Sequence, residues 1–490
     1  MLSDFNETTS ADREFHADFC IIGSGPAGLT LAVTLAEAGK SVILAEAGSY
    51  EFSEESQDVY RGENRGLDYL GLEYTRLRYF GGTSNHWAGM CGIFDEIDFE
   101  QRDILGLPGW PITRDEIIKY LQTARGILDL DNTNLLQVEN PVWSGKHWRQ
   151  RPVAYSPPTR FGEKYRAEAV QNPLLNVLLN ANLTNIELER GLDGVSSLTI
   201  TNYGGTTARL TANKYVLAMG APENARMLLN CNNQVKEGIG NGAGLVGRCF
   251  MEHLNVQVAR FISTKDDFWF PDGKPRDQQL VPTENLIKAE KTGNGVIAFA
   301  PSAKPVTYGR TRFLKQIIQS LACSTDWSRD YGRYLVDFNC AGEGVVTSLI
   351  EQLPNPDSRI ELLEDRDQFG LKRIGLNWTI TDTDRRTIRR LAINVAKEMA
   401  ETDTARLQLM PYIADENVEI PIHGHAHQMG TTRMSLSPTQ GVVDRDCRVH
   451  GLKNLYLAGS SVFSTGGSTN PTLTIVMLSL RLAEHLIKTD

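Results

Sequence analysis

Apolar positions along the chain switch between two periods. Residues 17–22, ADFCII, form a short, mostly apolar run of the kind a buried strand needs. After GSGPAG at 23–28, LTLAVTLAEAGK carries apolar residues at helical spacing, and Gly39 can end that helix. SVILAEAG at 41–48 is a second short apolar run. The pattern predicts strand, tight turn, helix and strand, a parallel crossover unit. A β-rich block spans 176–229, from NVLLNANLTNIELE to KYVLAMGAPENARMLL. Residues 264–294 are polar and proline-bearing and read as a long surface loop. RRTIRRLAINVAKEMAETD, from 385, predicts a helix capped by Thr383 or Asp384. The end of the chain, NLYLAGSSVFSTGGSTNPTLTIVMLSLRLAEHLI, returns to strand, turn and helix. Its helix is expected to start near Asn470, with that residue as N-cap and Pro471 at the first helical position. There is no internal repeat and no low-complexity tract.

With 490 residues, 41% of them hydrophobic, the chain can build a large core and two or three domains. No apolar run approaches the ~20 residues a membrane span needs. The N-terminus, MLSDFNETTSADREFHAD, lacks the basic start and apolar stretch of a secretory signal, which predicts a soluble, cytoplasmic protein. A net charge of -10 argues against nucleic acid and anionic membranes as partners. The seven cysteines are scattered and never form a CxxC pair, as expected of reduced, mostly buried thiols.

Gly23, Gly25 and Gly28 have the G-x-G-x-x-G spacing after a predicted strand and before a predicted helix. The first glycine permits a tight turn, the second lets a diphosphate approach the backbone, and the third lets helix and strand pack closely. Glu46 ends the next strand, where a carboxylate can accept hydrogen bonds from ribose hydroxyls. The motif fits NAD and FAD equally, whereas Glu46 argues against the 2′-phosphate of NADP.

HGHAHQMGTTRMS, 423–435, places three of the chain's nine histidines at alternate positions. On a strand, His423, His425 and His427 would share one face, so a metal site is geometrically open. The alternative is one catalytic histidine with two structural neighbours. Thr431, Thr432 and Arg433 read as structural, two hydroxyls satisfying a turn and a guanidinium tying the loop down.

These stretches occur in order with GGTSNHW (81–87), VGRCFMEH (246–253), EQLPNPDSRIEL (351–362) and VVDRDCRVHGLKNLYLAGSSVF (442–463). Over nearly its whole length the chain resembles the glucose-methanol-choline (GMC) oxidoreductase family. GTTRM and NPTLT are most similar to its pyranose-oxidase-like and bacterial sugar or glycoside oxidase-dehydrogenase branch. The resemblance implies an α/β protein, α+β overall: a Rossmann-like FAD-binding domain with a smaller substrate-binding domain built on an antiparallel sheet. The expected segments are 1–110, 161–258 and 420–490 for the FAD-binding domain, and 111–160 and 259–419 for the substrate domain. It implies FAD as cofactor and no metal. The implied activity is oxidation of a secondary alcohol of a sugar or glycoside to a keto-sugar, by proton abstraction and hydride transfer to flavin N5. The electron acceptor, oxygen, a quinone or a protein carrier, stays open.

By the same likeness Gly23, Ser24, Gly25, Gly28 and Glu46 would hold the ADP part. Gly82, Thr83, Asn85, His86, Trp87 and Ala88 would lie along the isoalloxazine, and Leu183 would meet the adenine through its backbone. Gly459, Asn470, Pro471 and Thr472 would close over the ribityl and pyrimidine end. Many members carry an acid where this chain has Gly459, so that contact must be made by backbone here or be absent. His427 would be the catalytic base and Asn470 its partner, a neutral imidazole taking the hydroxyl proton and an amide holding the same oxygen. At His86 a covalent bond to the flavin 8α-methyl, found in some members, and simple proximity both remain open. His253 and His450 read as structural, and His16, His147 and His485 as exposed. Rival functions are oxidation of a non-sugar alcohol, a flavin-containing lyase on the same fold, an NAD-dependent dehydrogenase, and a non-enzymatic flavoprotein scaffold.

Overall fold

A computed structural model of the protein describes residues 2–8, 13–102, 108–139, 141, 143–263, 278–301 and 343–490. The crossover unit predicted near the N-terminus is present. The strand Arg13–Ile22 buries Phe19 to Ile22 and runs into Gly23, which turns at φ +100°, a conformation that favours glycine. The helix Pro26–Glu37 starts with proline at its first turn, where a missing N–H costs nothing, and Gly39 follows its end at φ +82°. The strand Val42–Ala45 returns parallel to the first, with all four residues buried.

These two strands lie inside an eight-stranded sheet. Leu2–Asp4, Leu175–Leu179, Val42–Ala45, Arg13–Ile22, Thr207–Leu217 and Leu455–Leu457 pair in parallel. Thr207–Leu217 also extends into an antiparallel ribbon with Val195–Thr201 and Asn182–Leu188. The last helix, Thr472–Lys488, packs on Pro26–Glu37, so both lie in one layer against the parallel sheet.

A second, six-stranded sheet is antiparallel throughout. Its order is Ala405–Leu409, His253–Ser263, Glu343–Glu351, Gly295–Pro301, Gln278–Pro282 and Trp148–Gln150. It has its own core, in which the helix Asp382–Glu401 buries Ile388, Leu391, Val395 and Met399 alongside Phe261, Ile297 and Ile350. The protein is therefore α/β, with a Rossmann-like layer beside an antiparallel sheet.

Three local expectations change. The helix expected from 385 begins at Asp382 and is capped by Thr381. Thr381 accepts from the Asp384 N–H, and the Asp384 carboxylate accepts from the Thr381 N–H at 2.7 Å, a reciprocal box that leaves Thr383 and Asp384 inside the helix. The polar stretch 278–294 is not loop. Gln278–Pro282 is a strand and Glu284–Glu290 a helix capped by Thr283, while 264–277 lie outside the described residues. The strand His253–Ser263 crosses the expected boundary at 258/259, so the antiparallel sheet begins earlier. Cys20, Cys91, Cys231, Cys249 and Cys447 are free and buried; Cys323 and Cys340 lie outside the described residues. Among the described residues no helix is long and apolar enough to cross a membrane.

Gly28 fixes how closely the first helix approaches the first strand. A Cβ there would lie 1.8 Å from the Gly23 carbonyl oxygen. Gly28→Ala is therefore expected to destabilise the protein by about 3 kcal/mol, the upper end of ordinary overpacking, read as a lowered denaturation midpoint in urea.

Candidate active site

A cleft of ≈ 790 Å³ opens between the two sheets. Three helices present their N-termini to it: Pro26–Glu37, Ala221–Asn230 and Thr472–Lys488. Free N–H groups and the positive ends of three dipoles therefore face one volume, which suits an anion such as a diphosphate. Gly25, Gly220 and Gly459 line the same volume. A Cβ at Gly25 or Gly220 would meet nothing within 4 Å, and at Gly459 only the Ala27 Cβ at 3.9 Å. Glycine at these places keeps clear the space beside the donors.

Ser24 and Glu46 organise the end of the cleft at the glycine motif. The buried Glu46 carboxylate accepts from the Ser24 N–H at 2.9 Å, the Ser24 hydroxyl at 2.6 Å and the Gly48 N–H at 3.1 Å. Its remaining lone pairs stay available to hydroxyl donors in the cleft. The Ser24 hydroxyl in turn accepts from the Gly81 N–H at 3.1 Å, which draws the 81–85 turn onto the glycine motif. Packing there is tight, since a Cβ on Gly82 would lie 3.0 Å from the Gly25 Cα. Thr83, His86, Trp87 and Ala88 line the cleft. The His86 ring makes no hydrogen bond to the described residues, and burial, then the nearby Arg160, lowers its proton affinity. Asn85 and Leu183 are not among the residues that line the cleft. Asn85 donates its amide to the Phe80 carbonyl at 3.0 Å, and Leu183 is buried in the antiparallel ribbon opposite Ile200.

The histidine stretch is an arch, not a strand. Its ends pair with the other sheet at His423 with Asn255 and at Met429 with Met251. Between them Ala426 takes φ +58°, a left-handed conformation costly for a residue with a Cβ. Glu252 imposes that shape. Its buried carboxylate accepts from the N–H groups of His253 (3.1 Å), His425 (3.1 Å) and His427 (3.0 Å), and from the Tyr69 hydroxyl. Burial outweighs these bonds and pushes the Glu252 carboxyl up to about 7.

His425 and His427 both line the cleft, with rings stacked at 5.4 Å, while His423 remains at the bridge with Asn255. One nitrogen of His427, Nδ1, lies 2.8 Å from Nδ1 of His253. Among the described residues nothing bonds His427 Nε2. Burial, with His253 and His425 adding to it, holds the proton affinity of His427 well below the usual histidine value. No group of three or more metal-binding side chains comes together among the described residues. Thr431 donates to the Ala221 carbonyl at 2.5 Å and Arg433 to the Gln440 carbonyl at 2.7 Å, so both tie the arch down. The Thr432 hydroxyl has no partner among the described residues.

Asn470 differs from its expected role. The last helix begins at Thr472, and Pro471 occupies the cap position without a side-chain cap. Asn470 is thus not the cap. Its amide bonds to no described residue and lines the cleft with His427.

Residues 354–479 match the GMC oxidoreductase family model, and residues 18–236 match the FAD dependent oxidoreductase model. The chain carries a GMC oxidoreductase C-terminal domain. It is an FAD-dependent oxidoreductase. Fructose dehydrogenase large subunit of Gluconobacter japonicus is 21% identical over 98% of both chains. Paromamine 6′-oxidase of Streptomyces fradiae is 26% identical over 60% of this chain and 49% of its own. The solved structure of pyridoxine 4-oxidase from Mesorbium loti superposes with a TM-score of 0.57 at 17% identity, covering 96% of this chain and 98% of the other, which shows the shared fold.

Two residues of this site escape a reading by sequence. Glu252 and His253 form an unremarkable pair in VGRCFMEH, and only the pairing of 251–255 with 423–429 brings them beneath His427. Gly25 offers a test of the cleft as the cofactor site. Gly25→Leu fills open space and touches no core, so the protein should keep its denaturation midpoint in cofactor-free form yet purify colourless. Full flavin content in that variant, measured by absorbance, would contradict the assignment.

Proposed function

We propose that the protein oxidises a secondary alcohol of a neutral sugar or glycoside to the ketone, with His427 as general base and Asn470 as hydrogen-bond donor to the same oxygen. The observation that carries this reading is the cleft lining. Of the described residues that line it only Glu46 and Arg76 carry a full charge. Glu46 belongs to the nucleotide end, and Arg76 is paired with Glu223 at 2.9 Å. The antiparallel sheet contributes Asn255, Gln279 and Thr347, neutral groups able to bond hydroxyls, beside Val296 and Ala298. An ionised substrate would lose its hydration there and gain no counter-charge, whereas a polyol exchanges water for hydrogen bonds. The name of the fructose relative supports the same substrate class.

When bound, FAD supplies the hydride acceptor. The chain's part is to take the proton. His427 turns one nitrogen to His253 and leaves Nε2 without a protein partner, and its depressed proton affinity keeps it neutral at physiological pH. Asn470, free of any capping bond, can donate to the substrate oxygen without adding a charge that would oppose hydride departure. The cradle of Gly82, Thr83, Trp87, Ala88, Gly459, Pro471 and Thr472, with His86 at its open side, would hold the flavin. His86 would act by proximity, and Leu183 and Asn85 would contribute through backbone alone.

The test is anaerobic bleaching of the purified flavoprotein by D-fructose, D-glucose, methyl and phenyl glucosides and paromamine, followed by admission of air. Bleaching by one of the sugars or glycosides is expected. Bleaching by simple alcohols alone, or by none of the panel, would remove the sugar reading. His427→Ala should retain FAD and lose about 10²–10⁴-fold in the rate of reduction. His423→Ala should do far less, and EDTA should change nothing.

Because the neutral imidazole is the active form and its folded value is lowered, the reductive rate should stay flat through neutral pH. It should fall only as the pH drops well below 6.5. A rise centred at neutral pH would show that another group controls the step. Asn470→Ala should slow reduction without the ~0.5–2 kcal/mol loss expected of a lost cap. Acid precipitation should release the colour into the supernatant. Colour held in the pellet, and freed by His86→Ala, would identify a covalent bond instead.

A further inference from the structure

We infer that His253 is a positioning residue that fixes the tautomer of His427, through a hydrogen bond donated by His427 Nδ1 and anchored by the carbonyls of Gly466 and Gly467. This rests on the reading of His427 as the base.

Three groups in a row fix where the protons sit. His253 is fully buried at the start of its strand, and its Nε2 lies 3.2 Å from the Gly466 oxygen and 3.0 Å from the Gly467 oxygen. Carbonyl oxygens only accept, so Nε2 must carry the proton. A neutral imidazole has a single N–H, which leaves His253 Nδ1 with a bare lone pair. That lone pair faces His427 Nδ1 at 2.8 Å, with the two rings nearly perpendicular at 86°. Two bare nitrogens would repel at that distance, so His427 Nδ1 must be the donor. A neutral His427 then has no proton left for Nε2, and Nε2 is the nitrogen a substrate hydroxyl can meet.

The count depends on His253 being neutral. A cationic His253 would donate from both nitrogens, force the proton of His427 onto Nε2, and abolish the base. Burial opposes that cation and brings the proton affinity of His253 down to about 4. Among the described residues no carboxylate hydrogen-bonds the ring: the charge of Glu351 favours the cation but less than burial opposes it, and the neighbouring Glu252 bonds the backbone N–H of His253 instead. The anchoring carbonyls are also held. The Gly467 N–H donates to Glu351 at 3.4 Å, and Glu351 forms a two-pronged pair with half-buried Arg102 at 2.6 Å on each arm. The loop that ends in Asn470 therefore begins by setting the proton on His427, so both proposed catalytic side chains take their placement from one segment.

The experiment uses the holoenzyme labelled with ¹⁵N-histidine, and His427 resonances are assigned by their loss in His427→Ala. Long-range ¹H–¹⁵N spectra report which ring nitrogen of each histidine is protonated. The expected result is Nδ1–H with bare Nε2 for His427, the opposite for His253, and a coupling across the hydrogen bond between the two Nδ1 atoms. In His253→Leu the pure Nδ1–H form of His427 should give way to a mixture. Reduction by whichever sugar of the panel bleaches the native enzyme fastest should then slow by about 10- to 100-fold, the usual cost of losing a partner that orients a histidine. His253→Asn, which keeps an acceptor oxygen near the same place, should recover part of that rate.

An Nε2–H tautomer for His427 in the native enzyme, or an unchanged Nδ1–H form in His253→Leu, overturns the inference. If the leucine variant does not fold, the native spectrum decides, because the tautomer and the coupling are observed directly. Normal reduction by His427→Ala would overturn the base assignment and leave the tautomer result standing.

Discussion

Glu252 has no solvent-exposed surface, yet its carboxylate gathers three backbone N–H groups and a tyrosine hydroxyl. The donors come from the start of the antiparallel sheet, from the 425–427 arch and from Tyr69 in the N-terminal third. An unpartnered carboxylate at such a site would be strongly destabilising, and removing one partner of a buried charge typically costs about 3–5 kcal/mol. The bonds are therefore what makes the group tolerable there. In return they hold Ala426 at φ +58°, a conformation that costs roughly 1–2 kcal/mol for a residue with a Cβ. The arch is bent because the carboxylate needs both flanking N–H groups turned inward. The bend stacks His425 on His427 and keeps His423 at the sheet edge.

That clamp explains how a cleft between two separately packed cores can hold a defined constellation. The parallel sheet and its helices supply donors suited to an anion, and the antiparallel sheet supplies neutral hydrogen-bonding groups. Neither core alone contains the site. The connections that cross between them are polar and buried: Glu252 with the arch, Glu351 with Arg102 and Gly467, and Arg151 with Ser468 at 2.9 Å. Such groups are costly unless fully satisfied, so they tolerate few alternative arrangements. A hydrophobic contact at the same places would hold the two layers together with much less control over direction.

The parts legible in sequence were those whose physics is local. Gly23, Gly25 and Gly28 show their roles because turn, approach and packing are each decided within six residues, and the first strand, helix and strand followed as expected. The histidine arch could be noticed but not shaped, since alternation in HGHAH implies a strand until Glu252, far away in the chain, turns Ala426 to positive φ. Asn470 looked like a cap because Asn-Pro is a good helix start, and the extra residue that moves the start to Thr472 is set by tertiary packing. The 278–294 segment hid a strand and a helix behind a polar composition. Its strand pairs with Gly295–Pro301 and Trp148–Gln150, and partners of that kind leave no periodic mark in a short window. His253 left no signal, because its role is defined by two carbonyl oxygens more than two hundred residues away.

The direction of the His253–His427 bond also bears on the protonated state. A base must be good as an acceptor before the reaction and stable as a cation after it. When Nε2 of His427 takes a proton, its Nδ1–H already points at the bare lone pair of His253. That bond need not be remade; it becomes charge-assisted and shorter-ranged in effect, roughly twice as strong as its neutral counterpart. Had the proton of the pair sat on His253 Nδ1, protonation of His427 would have set two N–H groups against each other at 2.8 Å. The carbonyls of Gly466 and Gly467 therefore do more than satisfy a buried ring. They select the one arrangement in which a weakly basic, desolvated imidazole can accept a proton without any neighbouring group having to move.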